Sequence, residues 1–400
     1  MWLQPPQFYS SRFFAAGALL GLGLGSLFAA GQDVRVPQTV LSLCTSLNVV
    51  SRETVTPGTG IGISPDGRWL VQYVHTPRGM EMKLLDRDSG QERRMRLDPP
   101  PLPPGVIWKA TGITFSPAGN AFVLRSVGAL WMVDTARAEV RFQIGLEKEK
   151  QLYPGQASLA AGQLAVAFWP AESYLADAAA KKPIEVRFYD AASGRHTRTI
   201  ELALDSSSYW MQMALAPDAA RLAVLLRPTR WPGKAHLALY QATDGKLLWQ
   251  RKVSAEDLAW SADGHELLIL GGQLAWLDAA TGKELRATPR EVRFSESQTL
   301  RASEPINLAV GLLARFNPLK RGLLAPDRRD ARLILWRLDN GKVVCEQQLR
   351  ATQGVDVWPT ARGELIALEE QYDVRPPLRL LQRATLVVYR LESTGAEKTK

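Results

Sequence analysis

The sequence predicts an all-β fold: a seven-bladed β-propeller of four-stranded blades, closed into a ring by an N-terminal strand and preceded by one N-terminal hydrophobic helix. Three observations predict it. A strand–turn–strand phrase recurs, as GISPDGRWL at Gly62, TFSPAGNAF at Thr114, LAPDAARLA at Leu215 and WSADGHELL at Trp260. A second phrase recurs between these, as MKLLDRDSGQ at Met82, VRFYDAASGR at Val186, LALYQATDGK at Leu237, LAWLDAATGK at Leu274, LILWRLDNGK at Leu333 and LVVYRLESTG at Leu386. LWMVDTARAE at Leu130 is a seventh copy that has lost its glycine, and Gly90 to Gly395 spans six intervals of about 51 residues. Finally, almost no segment sustains a 3.6-residue period, which excludes helical solenoids.

In chain order, residues 1–12 read as a short N-terminal segment and residues 13–30 as a signal anchor or signal peptide. Phe13 to Ala30 is eighteen residues without a charge, preceded by Arg12. A secretory signal has an apolar core of roughly 7–15 residues and a small-residue exit, whereas about 20 residues span a bilayer. The length favours an uncleaved anchor over a cleaved signal, and either reading exports the rest of the chain. LSLC at Leu41 is no lipoprotein signal, because Leu43 is too bulky before the cysteine. A linker at 31–38 leads to the propeller, 39–394, and to a flexible tail, 395–400.

Each repeat is predicted to hold four short strands, a to d. Asp or Asn in the turns accepts local backbone N–H groups, Pro presets φ, and Gly takes the positive φ that closes the hairpin. The a–b turns of copies three, six and seven are weaker (SLAAGQLAV at Ser158, a blurred stretch near Asn307, WPTARGELI at Trp358) and follow from spacing. AESYLADAAAKK, from Ala171, is the best short-helix candidate. The chain ends after the seventh c strand, so residues near Thr39–Val50 are expected to supply the missing outer strand and hide an edge. That register puts Cys44 in blade seven and Cys345 in the outer strand of blade six. Outer strands diverge, and a disulfide needs Cα atoms within about 7 Å, so two free cysteines are expected.

With these turns in view, GISPDGRWLV, ITFSPAGNAFVL and DLAWSADGHELLIL followed by QLAWLDAATGK resemble the WD-repeat-like propeller superfamily, which includes exported Tol-system and bacterial surface propellers. The resemblance covers about residues 39–394. It departs from true WD repeats in lacking the GH dipeptide in every copy, and only WLD at Trp276 approaches the WD ending. The family's inward hydrogen-bond network is therefore expected to be absent or replaced. Propellers host many activities, so the resemblance implies architecture rather than chemistry.

Several chemistries find little support. ATDGKLLWQ at Ala242 and DAATGKELR at Asp278 also resemble the blade endings of pyrroloquinoline-quinone enzymes, but the adjacent cysteines of those enzymes are absent. Trp249 is expected to be blade packing. His75, His196, His236 and His265 are scattered without ligand spacing, and DRDSG at Asp86 coincides with a c–d turn. No hydrolase elbow, haem site or phosphate loop occurs. No enzyme activity, cofactor or metal is expected. DPPPLPPG at Asp98 reads as a stiff connector.

Function is expected where the repeat is irregular. The a–b and c–d turns share one face and are uniformly tight. On the other face, SVG at Ser126 and GG at Gly271 are tight, while long connections are expected at His75, Pro170, Arg227, Phe316–Arg332 and Glu369. The formal net charge is +9, and the loops at Arg227 and Phe316–Arg332 hold +6 of it. The candidate interaction residues are Arg227, Arg230, Trp231, Lys234, Lys320, Arg321, Arg328 and Arg329, with Trp231 at a loop tip. Export makes nucleic acid an unsuitable partner, so an acidic protein surface or membrane headgroups fit this charge. The expected function is a non-catalytic, exported, membrane-tethered interaction or assembly module facing the periplasm or cell exterior. The alternative is a ligand-binding or redox-accessory, quinoprotein-like propeller serving a separate enzyme.

Overall fold

The computed structural model of the chain describes residues 47–56, 59–76, 79–98, 110–126, 128–145, 152–170, 184–202, 209–228, 234–271, 273–288, 296–303, 308–314, 332–348, 353–375 and 378–391. The first strand, β1 (Leu47–Val55), belongs to the last sheet. The first sheet is β2 (Gly60–Ile63), β3 (Trp69–Thr76), β4 (Gly79–Asp86) and β5 (Glu92–Leu97). The second is β6 (Ala110–Phe115), β7 (Ala121–Ser126), β8 (Ala129–Asp134) and β9 (Glu139–Gly145). The third is β10 (Leu152–Ala160), β11 (Gln163–Pro170), β12 (Ile184–Asp190) and β13 (His196–Leu202). The fourth is β14 (Tyr209–Leu215), β15 (Arg221–Pro228), β16 (Ala235–Gln241) and β17 (Leu247–Val253). The fifth is β18 (Ala255–Trp260), β19 (Glu266–Gly271), β20 (Leu274–Asp278) and β21 (Glu284–Ala287). The sixth is β22 (Glu296–Ser303), β23 (Leu308–Ala314), β24 (Arg332–Arg337) and β25 (Val343–Gln348). The seventh is β26 (Gln353–Pro359), β27 (Glu364–Arg375) and β28 (Leu378–Leu391), with β1 antiparallel on β28.

Seven apolar clusters join these seven sheets, one between each consecutive pair. Met80, Met82, Leu84, Phe122 and Trp131 fill the space between the first and second sheets. Val55, Ile61, Leu70, Trp358 and Leu386 fill that between the seventh and first, so the sheets form a ring. Each sheet buries both faces, which explains the near-continuous apolar runs of β7, β15 and β19. A fully buried side chain such as Leu84 or Val133 contributes roughly 1.5–3 kcal/mol. The first strands of neighbouring sheets touch one another and are therefore innermost. Fourth strands such as β5 and β17 alternate toward solvent.

The recurrent turns behave as their residues require. Ser64 Oγ donates to Asp66 and accepts from Trp69 N at 2.8 Å, while Asp66 Oδ1 also accepts from Arg68 N at 3.1 Å. Ser261 and Asp263 repeat the arrangement in the fifth sheet, at 2.6 Å between Oγ and carboxylate. In the seventh copy of the other turn, where glycine is lost, Ala138 takes the left-handed conformation itself (φ 54°). DRDSG is a turn: Asp86 accepts from Asp88 N at 3.0 Å and from Arg68 Nη2 at 2.8 Å.

Three expectations change. The connection at His75 is a hairpin with only two residues between β3 and β4, and the one at Glu369 is a ladder carried out to Arg375 opposite Leu378. Both were expected as loops because their Pro and charged residues mask continuing strands. The cysteines also differ: Cys345 is disulfide-bonded, and Cys44 is the only other cysteine in the chain. The divergence of outer strands does not prevent this, because Leu47 at the start of β1 packs in the same cluster as Cys345, so the chain end reaches back to the sixth sheet.

The strand expected within Thr39–Val50 lies at Leu47–Val55, and residues 39–46 fall outside the described residues. So do the apolar segment 13–30, the helix candidate 171–182, DPPPLPPG beyond Asp98 and the tail 395–400. Among the described residues, no helix is long and apolar enough to cross a membrane.

Candidate functional site

The face of tight turns is occupied by contacts between sheets. The third-to-fourth-strand turns of the third, fourth and fifth sheets dock on the outer strand of the preceding sheet. A Cβ on Gly194 would lie 2.5 Å from Phe142, one on Gly245 2.9 Å from Ile200, and one on Gly282 2.8 Å from Trp249. Polar groups lock the same junctions. Arg198 Nε donates to Ala242 O at 2.6 Å, Trp249 Nε1 to Ala279 O at 2.9 Å, and Arg286 Nη2 to Leu338 O at 3.3 Å. Arg198 lies over Phe188 and Arg286 over Trp276, 4.0 and 4.7 Å from the ring centroids. At the ring's seam, Arg87 bridges Gly67 O at 2.7 Å and Glu364 at 2.8 Å. Trp249 is thus a packing residue, as expected. Arginine suits these sites because its planar fork serves a carbonyl and an aromatic face together. These arginines and the Ser–Asp turns supply the polar contacts of the tight-turn face.

A second set of polar groups lies along the innermost strands and their neighbours. Between the third and fourth sheets, Ser158 Oγ accepts from Leu215 N at 2.8 Å. Arg227, at the end of β15, pairs with buried Glu256 of β18 at 2.8 Å. Asp257 crosses to the sixth sheet, accepting from Leu300 N at 2.8 Å and from its neighbour Leu258 N at 2.9 Å. Arg301 of β22 joins Asp356 of β26, donates to Val357 O at 2.6 Å and lies 4.4 Å over Trp358. Between the second and third sheets Arg125 Nη1 donates to Gln156.

The carboxyl of Asp257 is pushed up to about 6, chiefly by burial, with its two backbone donors and Arg301 and Arg227 opposing. A carboxyl with a raised folded pKa holds its proton more tightly folded than unfolded, so its contribution to stability is largest below about 4 and is lost as pH rises through 6. The stability of the wild type relative to Asp257→Asn should therefore fall by roughly 2 kcal/mol between pH 4 and pH 8, partial exposure keeping the effect below the full linkage value. Urea midpoints of the two proteins across that range check it; a constant difference would contradict it.

Of the sequence candidates, Arg227 is already ion-paired, by an acid from the next sheet rather than from its own loop. Lys234 is exposed just before β16. Arg230, Trp231, Lys320, Arg321, Arg328 and Arg329 lie outside the described residues. Sequence reading missed Arg125, Gln156, Glu256, Asp257, Arg301 and Asp356. Their signal was a polar residue inside an otherwise apolar strand, as in FVLRS, AEDLAW and VDVW.

No group of three or more His, Cys, Asp or Glu among the described residues could hold a metal ion. A groove of about 630 Å³ runs between β1 and the outer part of the first sheet, lined by Glu53, Val55, Glu81, Lys83, Arg94 and Arg96. Its charges are largely paired within it, Lys83 and Arg94 each 2.8 Å from Glu92.

No protein-family model matches the chain, and no curated protein matches it. Among solved structures it is similar to a chain in the crystal structure of a mitotic checkpoint complex, with a TM-score of 0.56 at 12% identity. The likeness covers 92% of this chain and 99% of that one. With the seven sheets, it defines the class: a seven-bladed β-propeller. At this identity the likeness concerns the fold.

Proposed function

We propose that the protein is a non-catalytic interaction module, exported and tethered to a membrane by its N-terminal apolar segment, that docks an acidic partner protein on its long-loop face. The observation that carries this reading is the division of labour between the faces. The tight-turn face is bound up in sheet-to-sheet contacts through Arg198, Trp249, Arg286 and Arg87. The irregular, basic connections all leave from the other face, and loop variation on one face of a rigid scaffold is where binding resides.

The disulfide at Cys345 supports an oxidising compartment, the periplasm or cell exterior, because cytosolic thiols are kept reduced. The similar solved structure is itself a protein complex, in keeping with a partner-binding role. The exported bacterial propellers that the turns resemble supply the nearest pattern, with β1 sealing the ring. Purification of the full chain from membranes in mild detergent should yield a stoichiometric protein partner and no visible absorbance. A lone chain carrying a chromophore would instead establish the redox-accessory role.

A further inference from the structure

Two junctions of the ring are built alike but carry different charge. Arg227 is the next-to-last residue of β15, the second strand of the fourth sheet, and reaches Glu256 at the start of the fifth sheet's innermost strand. Arg125 is the next-to-last residue of β7, the second strand of the second sheet, and reaches Gln156 in the third sheet's innermost strand. Glu256 and Gln156 both sit where their strand slips register against its neighbour, between Ala255 and Asp257 and between Pro154 and Ala157. One junction therefore holds a cation and a carboxylate. The other holds a cation and a neutral amide.

Among the described residues, the surroundings of Arg125 supply no counter-charge. Its Nε is buried with no acceptor, and among the described residues no carboxylate pairs with it. The nearest ionisable group to act on it is the Tyr73 phenol, which is neutral near pH 7. Burial accordingly disfavours its charged form. The backbone opposite is cut away to admit the group: Gly112 pairs with Arg125 across the ladder, and a Cβ there would meet Arg125 Nη2 at 2.9 Å. The guanidinium thus lies between the innermost strands of the second and third sheets. Arg125 is half-buried as a whole residue, with its Nε buried. By contrast Arg301, on the innermost strand of the sixth sheet, has both Asp356 and the Trp358 ring. A buried guanidinium lacking a counter-charge is unfavourable, and its planar fork matches a carboxylate.

We infer that the junction at Arg125 and Gln156 binds a ligand carboxylate, which takes the place that Glu256 fills at the equivalent junction. The carboxylate can come from an acidic side chain of a protein partner or from a small free acid. The site uses none of the loop residues on which the proposed docking face rests, so either can fail alone.

The test uses the full chain in mild detergent at constant ionic strength. The probes are a blocked tripeptide with a central glutamate, its glutamine counterpart and succinate, titrated by calorimetry and by thermal shift. Saturable binding of a carboxylate probe is expected, and none by the glutamine peptide. Gln156→Glu, which supplies the missing carboxylate internally, should raise the melting temperature without ligand and weaken probe binding at least tenfold. Arg125→Lys should weaken it too, without the rise in melting temperature. Tighter binding of the peptide identifies a partner's side chain as the source, and tighter binding of succinate a small acid. The inference is overturned if no carboxylate probe binds the wild type, or if Gln156→Glu binds within twofold of it.

Discussion

Gly282→Ala is expected to destabilise the protein by about 3 kcal/mol, combining a left-handed alanine with an overpacked contact. Gly282 has φ +69°, and a Cβ there would fall 2.8 Å from the Trp249 ring of the preceding sheet. That ring is held by its Nε1–H donating to Ala279 O, so it cannot swing away without losing a hydrogen bond. Gly90 is the matched control: it occupies the same turn of the first sheet at φ +71°, with nothing within 4 Å of a Cβ. Gly90→Ala should cost only the backbone part, about 1 kcal/mol. Ala138 already adopts this conformation in the second sheet. In a double-mutant cycle, Trp249→Ala should relieve Gly282→Ala by 1 kcal/mol or more. Equal losses for the two glycines in denaturant titrations, with no coupling to Trp249, would mean that the turns do not interlock the sheets.

Breaking the disulfide is the second large effect. Only Cys44 and Cys345 are available in the chain, and Cys345 is bonded. A bond from Cys345, in the outer strand of the sixth sheet, to Cys44 would span most of the sequence. Long closed loops restrict the unfolded chain most, and loss of such a bond costs ~2–5 kcal/mol. Here it would also loosen the start of β1, whose Leu47 shares a cluster with Cys345, Leu335 and Tyr389. Denatured, unreduced protein should show no free thiol. Reduction should lower the melting temperature, Cys345→Ser should match the reduced wild type, and reductant should leave that variant unchanged. Two thiols per chain before reduction would refute the bond.

What the sequence revealed follows from how local the chemistry is. Ser64, Asp66, Ser261 and Asp263 close their turns with partners within five residues, so the phrases announce themselves and the sheets can be counted. The junction residues are different. Gln156 is 31 residues from Arg125, and Asp356 is 55 from Arg301, so their partners emerge only when the ring brings consecutive sheets together. The same distance effect made the loop of Arg227 look uncompensated, since Glu256 arrives from the next sheet. The hairpins at His75 and Glu369 were hidden because strands that run past the ring need not alternate polar and apolar residues. The cysteine reading applied an average strand geometry, whereas Leu47 at the start of β1 shares one cluster with Cys345.

The division between the two faces is tested most directly by measuring partner recovery from membranes, at low and high salt, for two charge-reversed variants. The first reverses Arg230, Lys320, Arg321, Arg328 and Arg329 in the long connections, leaving Arg227 in place because it holds Glu256. The second reverses exposed Lys246, Lys283 and Lys342 beside the tight turns. The first should lose recovery and its salt sensitivity, and the second should match the wild type. Recovery lost only in the second variant, or unchanged in the first, would contradict docking on the long-loop face.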